Sequence, residues 1–164
     1  MDITVSPIRE DDATSYHACV DTVCREGRFL ATLQAPPIEQ TREFVAKQRQ
    51  SGNPMFVATG DGQVVGSCDV TPHRHALHAH RGVLGMGVRA DFRGRGIGRR
   101  LLEATLDAAR HRGLERVELV VRVSNVAAVR LYERGGFETE CTIRHAVKSG
   151  GMYEDAYSMV LFFE

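Results

Sequence analysis

The residues best suited to chemistry lie in one run, Val88-Arg89-Ala90-Asp91-Phe92-Arg93-Gly94-Arg95-Gly96-Ile97-Gly98-Arg99-Arg100. Glycine takes three alternate positions, Gly94, Gly96 and Gly98, where the apolar spacing of Ile97, Leu101, Leu102, Leu106 and Ala109 opens a helix. Inside a helix glycine costs about 1 kcal/mol relative to alanine, so three of them at a helix entrance need a reason. Access supplies one. Without a Cβ, backbone N–H groups can lie directly against a bulky anion, and a helix N-terminus already offers unpaired N–H groups and a partial positive charge. Arg89, Arg93, Arg95, Arg99 and Arg100 add charge-assisted contacts. The chemistry this favours is capture of a diphosphate.

Other phosphate and nucleophile motifs fit less well. A Walker A loop needs Gly-Lys-Ser/Thr, and neither Lys47 nor Lys148 follows a glycine. No serine sits in a G-x-S-x-G elbow. Gly85-x-Gly87-x-x-Ala90 loosely matches a dinucleotide fingerprint, but Gly94 and Gly96 interrupt the helix it requires, and no repeated parallel βαβ unit surrounds it. An arginine-rich surface turn is the plainer alternative. Histidines at His73, His75, His78 and His80 are dense enough to suggest a metal, but their spacing matches no familiar zinc motif, and a solvated loop or substrate-entry surface is the favoured reading.

Arg93-x-x-Gly96-x-Gly98 resembles the acyl-CoA diphosphate motif of the GNAT superfamily of N-acetyltransferases, Q/R-x-x-G-x-G/A. The block Asn125-Val126-Ala127-Ala128-Val129-Arg130-Leu131-Tyr132-Glu133-Arg134-Gly135-Gly136-Phe137 is similar to a second pattern of that superfamily, N-x-x-A-x-x-L-Y-x-x-x-G-F. The two occur in the expected order with a strand between them. The resemblance covers the chain from about Phe56 onward. Gly151-x-Tyr153-x-Asp155-Ala156-Tyr157-x-Met159 and His80-x-x-x-Leu84-Gly85 are similar to a subgroup acting on amino acids or related small amines.

The resemblance implies acetyl-CoA as co-substrate. Its pantetheine arm would lie between two splayed strands and pair with backbone of the first, at Met86, Gly87 and Val88. Its diphosphate would rest on Arg93, Gly94, Arg95, Gly96, Ile97, Gly98 and Arg99, and Asn125 would bond the pantetheine. Asparagine also favours the helix N-cap, and the two roles are compatible. Tyr132 would face the sulfur. A thiol titrates near ~8.5 and a phenol near ~10, so a placed tyrosine can protonate a leaving thiolate with little mismatch. The general base is less defined. Many relatives carry a carboxylate on the strand before the glycine loop, and Val83 to Val88 has none. His80 is the nearest candidate and Glu118 the second. The expected partner is a small-molecule amine, without nucleic acid or membrane, and a homodimer is left open. A protein N-terminus as acceptor, a non-catalytic acyl-CoA module and an arginine-patch nucleic-acid binder are the rival readings.

The elements that must hold these residues follow from periodicity and turn signals. Ile3 to Arg9 reads as a strand and Asp11 and Asp12 as the start of a helix running toward Cys24. Ile38 to Gln50 reads as a surface helix. Strands flank Gly60-Asp61-Gly62, Val83 to Val88 is a third, and Ile97 to Arg112 is a helix stopped by Gly113. Val117 to Val123 is a strand, Asn125 to Arg134 a helix, and the tail two strands joined by Lys148-Ser149-Gly150-Gly151. The order β-α-α-β-β-β-α-β-α-β-β predicts an α/β domain with a single mixed, mostly antiparallel sheet and helices on both faces. At 164 residues, 43% hydrophobic and 26% charged, residues 1–164 are expected to form one domain. Lys+Arg and Asp+Glu both number 21, which lacks the basic excess of a protein that coats nucleic acid. No apolar run reaches a membrane span, and no signal peptide is visible. With no C-x-x-C pair among Cys19, Cys24, Cys68 and Cys141, a cytoplasmic location with reduced thiols is expected.

Overall fold

A computed structural model describes residues 1–164. Seven strands form one sheet in the order β1-β2-β3-β4-β5-β7-β6. They are β1 (Ile3–Pro7), β2 (Met55–Gly60), β3 (Gln63–Pro72), β4 (Arg81–Val88), β5 (Arg116–Arg122), β6 (Glu138–Ser149) and β7 (Met152–Phe162). Every pairing is antiparallel except β4 with β5. Helices α1 (Ala13–Arg25), α2 (Ile38–Gln50), α3 (Ile97–His111) and α4 (Val126–Arg134) complete the element order the sequence predicts. The β2–β3 turn is a two-residue one, with Asp61 at φ 48° and Gly62 at φ 74°. Positive φ at both central residues matches the twist of the flanking strands.

Two cores sandwich the sheet. Period-2 alternation in the strands sends Cys68, Val70, Val117, Leu119 and Val121 to one face, where they meet Leu101, Leu102 and Leu106 of α3 and Tyr132 of α4. The other face packs Tyr16 and Cys19 of α1 and Val45 of α2 against Met55, Val57 and Val64. Glycines on β4 let this second layer come close: a Cβ on Gly87 would meet Val23 of α1 at 3.7 Å.

The only parallel pairing in the sheet is incomplete. β4 and β5 pair at Arg81–Arg116, Gly82–Val117 and Val83–Glu118, and then part. Arg89 N–H donates to Val65 O (2.9 Å) and Arg81 O accepts from His73 N–H (3.0 Å), so the odd-numbered residues of β4 spend their backbone groups on β3. The even-numbered ones face β5. Beyond Val83, the backbone of Met86 and Val88 therefore points into an open gap in mid-sheet.

Candidate active site

The gap is the floor of a cleft of about 1200 Å³. Leu84 to Val88 form one bank and Leu119 to Val121 the other; the α3 entrance and the inner side of α4 close its ends. At the α3 entrance the amides of Gly94, Arg95, Gly96, Ile97, Gly98 and Arg99 donate to no backbone or side-chain acceptor, and the first paired amide is that of Arg100, to Gly96 O at 3.2 Å. Gly94 and Gly96 hold φ of 73° and 75°, a left-handed backbone that turns the chain so these amides face outward. At Gly98 a Cβ would reach Leu131 and Met86 at 3.3 Å, so the missing side chain keeps the cleft open between α3, α4 and β4. Unpaired amides over such a run suit a polyanion. The site fits a CoA diphosphate on these grounds alone.

The structure gathers most of the residues the sequence singles out. Met86, Gly87, Val88, Arg93, Gly94, Gly96, Ile97, Gly98, Arg99, Asn125 and Tyr132 all line the cleft. Asn125 also caps α4, its Oδ1 accepting from Ala128 N–H at 3.4 Å. Tyr132 is 8% exposed and packs on Phe137 at 5.8 Å between ring centroids. Its hydroxyl makes no hydrogen bond within the protein and is not sealed from solvent, so it opens toward the cleft. Burial, and next the nearby Cys68, push its phenol above the ordinary value, so it stays protonated.

Two residues lie elsewhere. Arg95 does not line the cleft; it donates to Asp91 O (3.0 Å) and stacks over Phe92. His80 is exposed, in the turn before β4, and is not part of the lining. Its carbonyl accepts from the N–H groups of Glu115 (2.9 Å) and Arg116 (3.2 Å), so its role in this structure is to start the β4–β5 pairing. Glu118 is fully engaged. It takes hydrogen bonds from Arg81 (2.9 and 3.0 Å) and Arg116 (2.9 Å), and its Oε1 lies 2.8 Å from His73 Nε2. Burial opposes its ionisation, but these donors outweigh burial and hold its carboxyl at about 2.

The sequence did not reveal the segment after α1. Arg28, Phe29, Leu30 and Ala31 line the cleft and are tied to both banks. From the α3 side, Arg93 grips Glu26 with two hydrogen bonds (2.6 and 2.8 Å), donates to Val88 O (2.8 Å) and lies 4.6 Å from the Phe29 ring centroid. From β5, Arg122 donates to Gly27 O and Leu30 O, both at 3.1 Å. The one available signal was an apolar cluster, Phe29, Leu30, Ala31 and Leu33, in the connection before Pro36-Pro37.

A divided sheet, a ring of free amides at a helix entrance and a tyrosine at the cleft wall define an acyl-CoA-using transferase. Residues 10–137 match the family described as Acetyltransferase (GNAT) family. The chain is 27% identical over 156 residues to the L-amino acid N-acetyltransferase AaaT of Escherichia coli, covering 93% of this chain and 94% of that one. It is 41% identical over 76 residues to a [Ribosomal protein bS18]-alanine N-acetyltransferase of Salmonella typhimurium, covering 46% of this chain and 51% of that one. The fold superposes with a TM-score of 0.91 on a GNAT superfamily phosphinothricin acetyltransferase of Sinorhizobium meliloti in complex with acetyl-CoA, at 18% identity over 99% of this chain and 89% of that one. The chain belongs to the GNAT family of acetyltransferases. It is an acetyl-CoA-dependent N-acetyltransferase, with acetyl-CoA as co-substrate.

Proposed function

We propose that this enzyme acetylates the primary amine of a small molecule, with an amino acid as the leading acceptor. The observation that carries this reading is the strap of residues 26–31, pinned across the gap by Arg93 on one side and Arg122 on the other. A strap fixed over the reactive end favours a compact acceptor over an extended chain. Similarity along nearly the whole length to an amino-acid N-acetyltransferase supports the same reading. The local likeness to an enzyme named for a ribosomal-protein alanine favours a protein N-terminus as the second reading.

Acetyl-CoA supplies an acyl group already activated as a thioester, and the protein binds, orients and moves protons around it. Amides of Gly94 to Arg99 hold the diphosphate. Backbone groups of Met86 and the N–H of Val88 pair with the pantetheine, while Asn125 holds its other side. The Tyr132 hydroxyl donates its proton to the departing sulfur. Direct transfer fits a cleft that no cysteine lines; burial also pushes the thiol of Cys19 up to about 12 and that of Cys68 higher still.

A thiol-release assay with acetyl-CoA against the L-amino acids, polyamines and peptides tests the acceptor class. Highest kcat/KM with a free amino acid or small amine is the expected result. Preference for a peptide N-terminus would replace it with the second reading.

A further inference from the structure

An amine acceptor is mostly ammonium near pH 7 and has no free lone pair until it loses a proton. The cleft itself offers little to take that proton. Glu103, its one lining carboxylate, lies on α3 beside the diphosphate loop and pairs with Arg99 at 2.7 Å. Glu118 is locked as an anion by three donors, and His80 is outside. One carboxylate stands directly behind the β4 bank, not in the lining itself but against Gly85, which is, and it is paired to no cation.

That group is Asp69 on β3. It sits opposite Gly85 of β4, two positions past the last residue that pairs with β5. The two share the face on which α1 packs. Gly85 is exposed and lines the cleft. A Cβ built there would stand 3.2 Å from Asp69 Oδ1, so the carboxylate fills the space that a side chain at residue 85 would take. Oδ1 accepts no hydrogen bond within the protein and is not sealed from solvent. Oδ2 takes a long bond from Thr71 Oγ1 (3.4 Å), which in turn accepts from Gln48 Nε2 (3.1 Å), and Gln48 Oε1 accepts from Asn53 Nδ2 (2.7 Å). This chain steadies one oxygen and leaves the other aimed over a glycine.

We propose that Asp69 is the proton acceptor of acetyl transfer, reaching the acceptor nitrogen through the opening at Gly85. The proposal rests on the small-amine reading above. Asp69 Oδ1 takes one proton from the ammonium, and the freed lone pair forms the C–N bond as the C–S bond breaks. Tyr132 protonates the sulfur and recovers a proton from the nitrogen as the amide forms. Asp69 then returns its proton to solvent, for a net release of one proton per turnover.

The surroundings suit the task. Burial pushes the Asp69 carboxyl up to about 7, with the Thr71 hydroxyl pulling the other way. From α1 the phenol of Tyr16 lies near enough to feel its charge. Burial holds the Tyr16 phenol and the Cys19 thiol in their neutral forms. From α2 only the uncharged Gln48 contacts the network, and no lysine or arginine pairs with Asp69. A base that titrates near the working pH combines a large ionised fraction with useful basicity.

The test uses the full chain with acetyl-CoA and the fastest of the L-amino acids or the polyamine spermidine. In the wild type, kcat/KM should fall tenfold per pH unit below about 7. Asp69→Asn should lower kcat/KM at pH 7 by about 10²–10⁴-fold, remove the break near 7 so that the residual rate keeps rising with pH up to the amine's own pKa, and leave CoA affinity by calorimetry unchanged. Thr71→Val removes the donor that favours the ionised form, so its limb should move to higher pH. A wild type that acetylates while Asp69→Asn keeps its rate and its break near pH 7 overturns the base alone. A limb that stays in place in Thr71→Val does the same if Asp69→Asn fails to fold. A wild type inactive on every amine removes the small-amine reading, and the base with it.

Discussion

Glu118 and Asp69 lie on the same face of the sheet, two strands apart, and their surroundings drive them in opposite directions. Glu118 is held at about 2 against an ordinary 4.5. Its contribution is therefore present above pH 4.5 and lost as pH falls toward 2, by up to about 3 kcal/mol. Asp69 is raised to about 7 from 3.8. Its contribution is present below pH 3.8 and lost as pH rises through 7, so the ionised group weakens the fold where the enzyme works. Asp69→Asn should raise Tm at pH 8 by on the order of 5 °C and leave Tm at pH 4 nearly unchanged, which scanning calorimetry at the two pH values would check. Tyr132→Phe should lower kcat by about 10²-fold or more with CoA affinity unchanged; equal turnover on the best amine would remove the acid role. Tyr132 and Asn125 could be singled out in the sequence because both lie in one contiguous block that resembles a family pattern. Asp69 was not, since its place depends on a register that sets it against Gly85. The available trace was a lone charge inside the apolar run Val64 to Val70.

At the scale of elements, α3 shows a helix whose first turn is built for a ligand. A helix entrance normally satisfies its amides with a cap, whereas here Gly96 takes the cap position at φ 75° and caps nothing. Gly98 adopts ordinary helical geometry, so a side chain there adds no backbone strain. Gly98→Val would bring methyl groups against Leu131 and Met86 and narrow the cleft. Its Tm should shift by only a few degrees, while the Kd for CoA by calorimetry rises at least ~10-fold, a loss of ~1.4 kcal/mol. The extent of α3 could be read from its apolar spacing because six buried residues repeat at helical intervals. The irregular course of β6 could not. Its pairing with β7 slips between Ile143 and Val147, where His145 takes φ 51° and donates its N–H to Asp155 Oδ1 at 2.8 Å. Nothing local in a strand of mixed polarity marks such a bulge.

Across the whole molecule, charge pairs flank both the closed and the open end of the β4–β5 seam. At the closed end Arg81, Glu118, Arg116 and Glu140 link β4, β5 and β6 in one network. At the open end Arg93 and Arg122 hold the strap. The order of elements was legible from periodicity and turn residues. The divergence of β4 from β5 was not legible from local pattern, because both strands read as ordinary apolar runs. A central strand normally guards its amides for as long as the protein stays folded. β4 cannot: Met86 and Val88 should trade their amide hydrogens for deuterium within the native state, far faster than their odd-numbered neighbours. Saturating CoA should slow that exchange selectively at these two positions. Isotope uptake at two alternate residues would then serve as an occupancy gauge, readable before any acceptor is known.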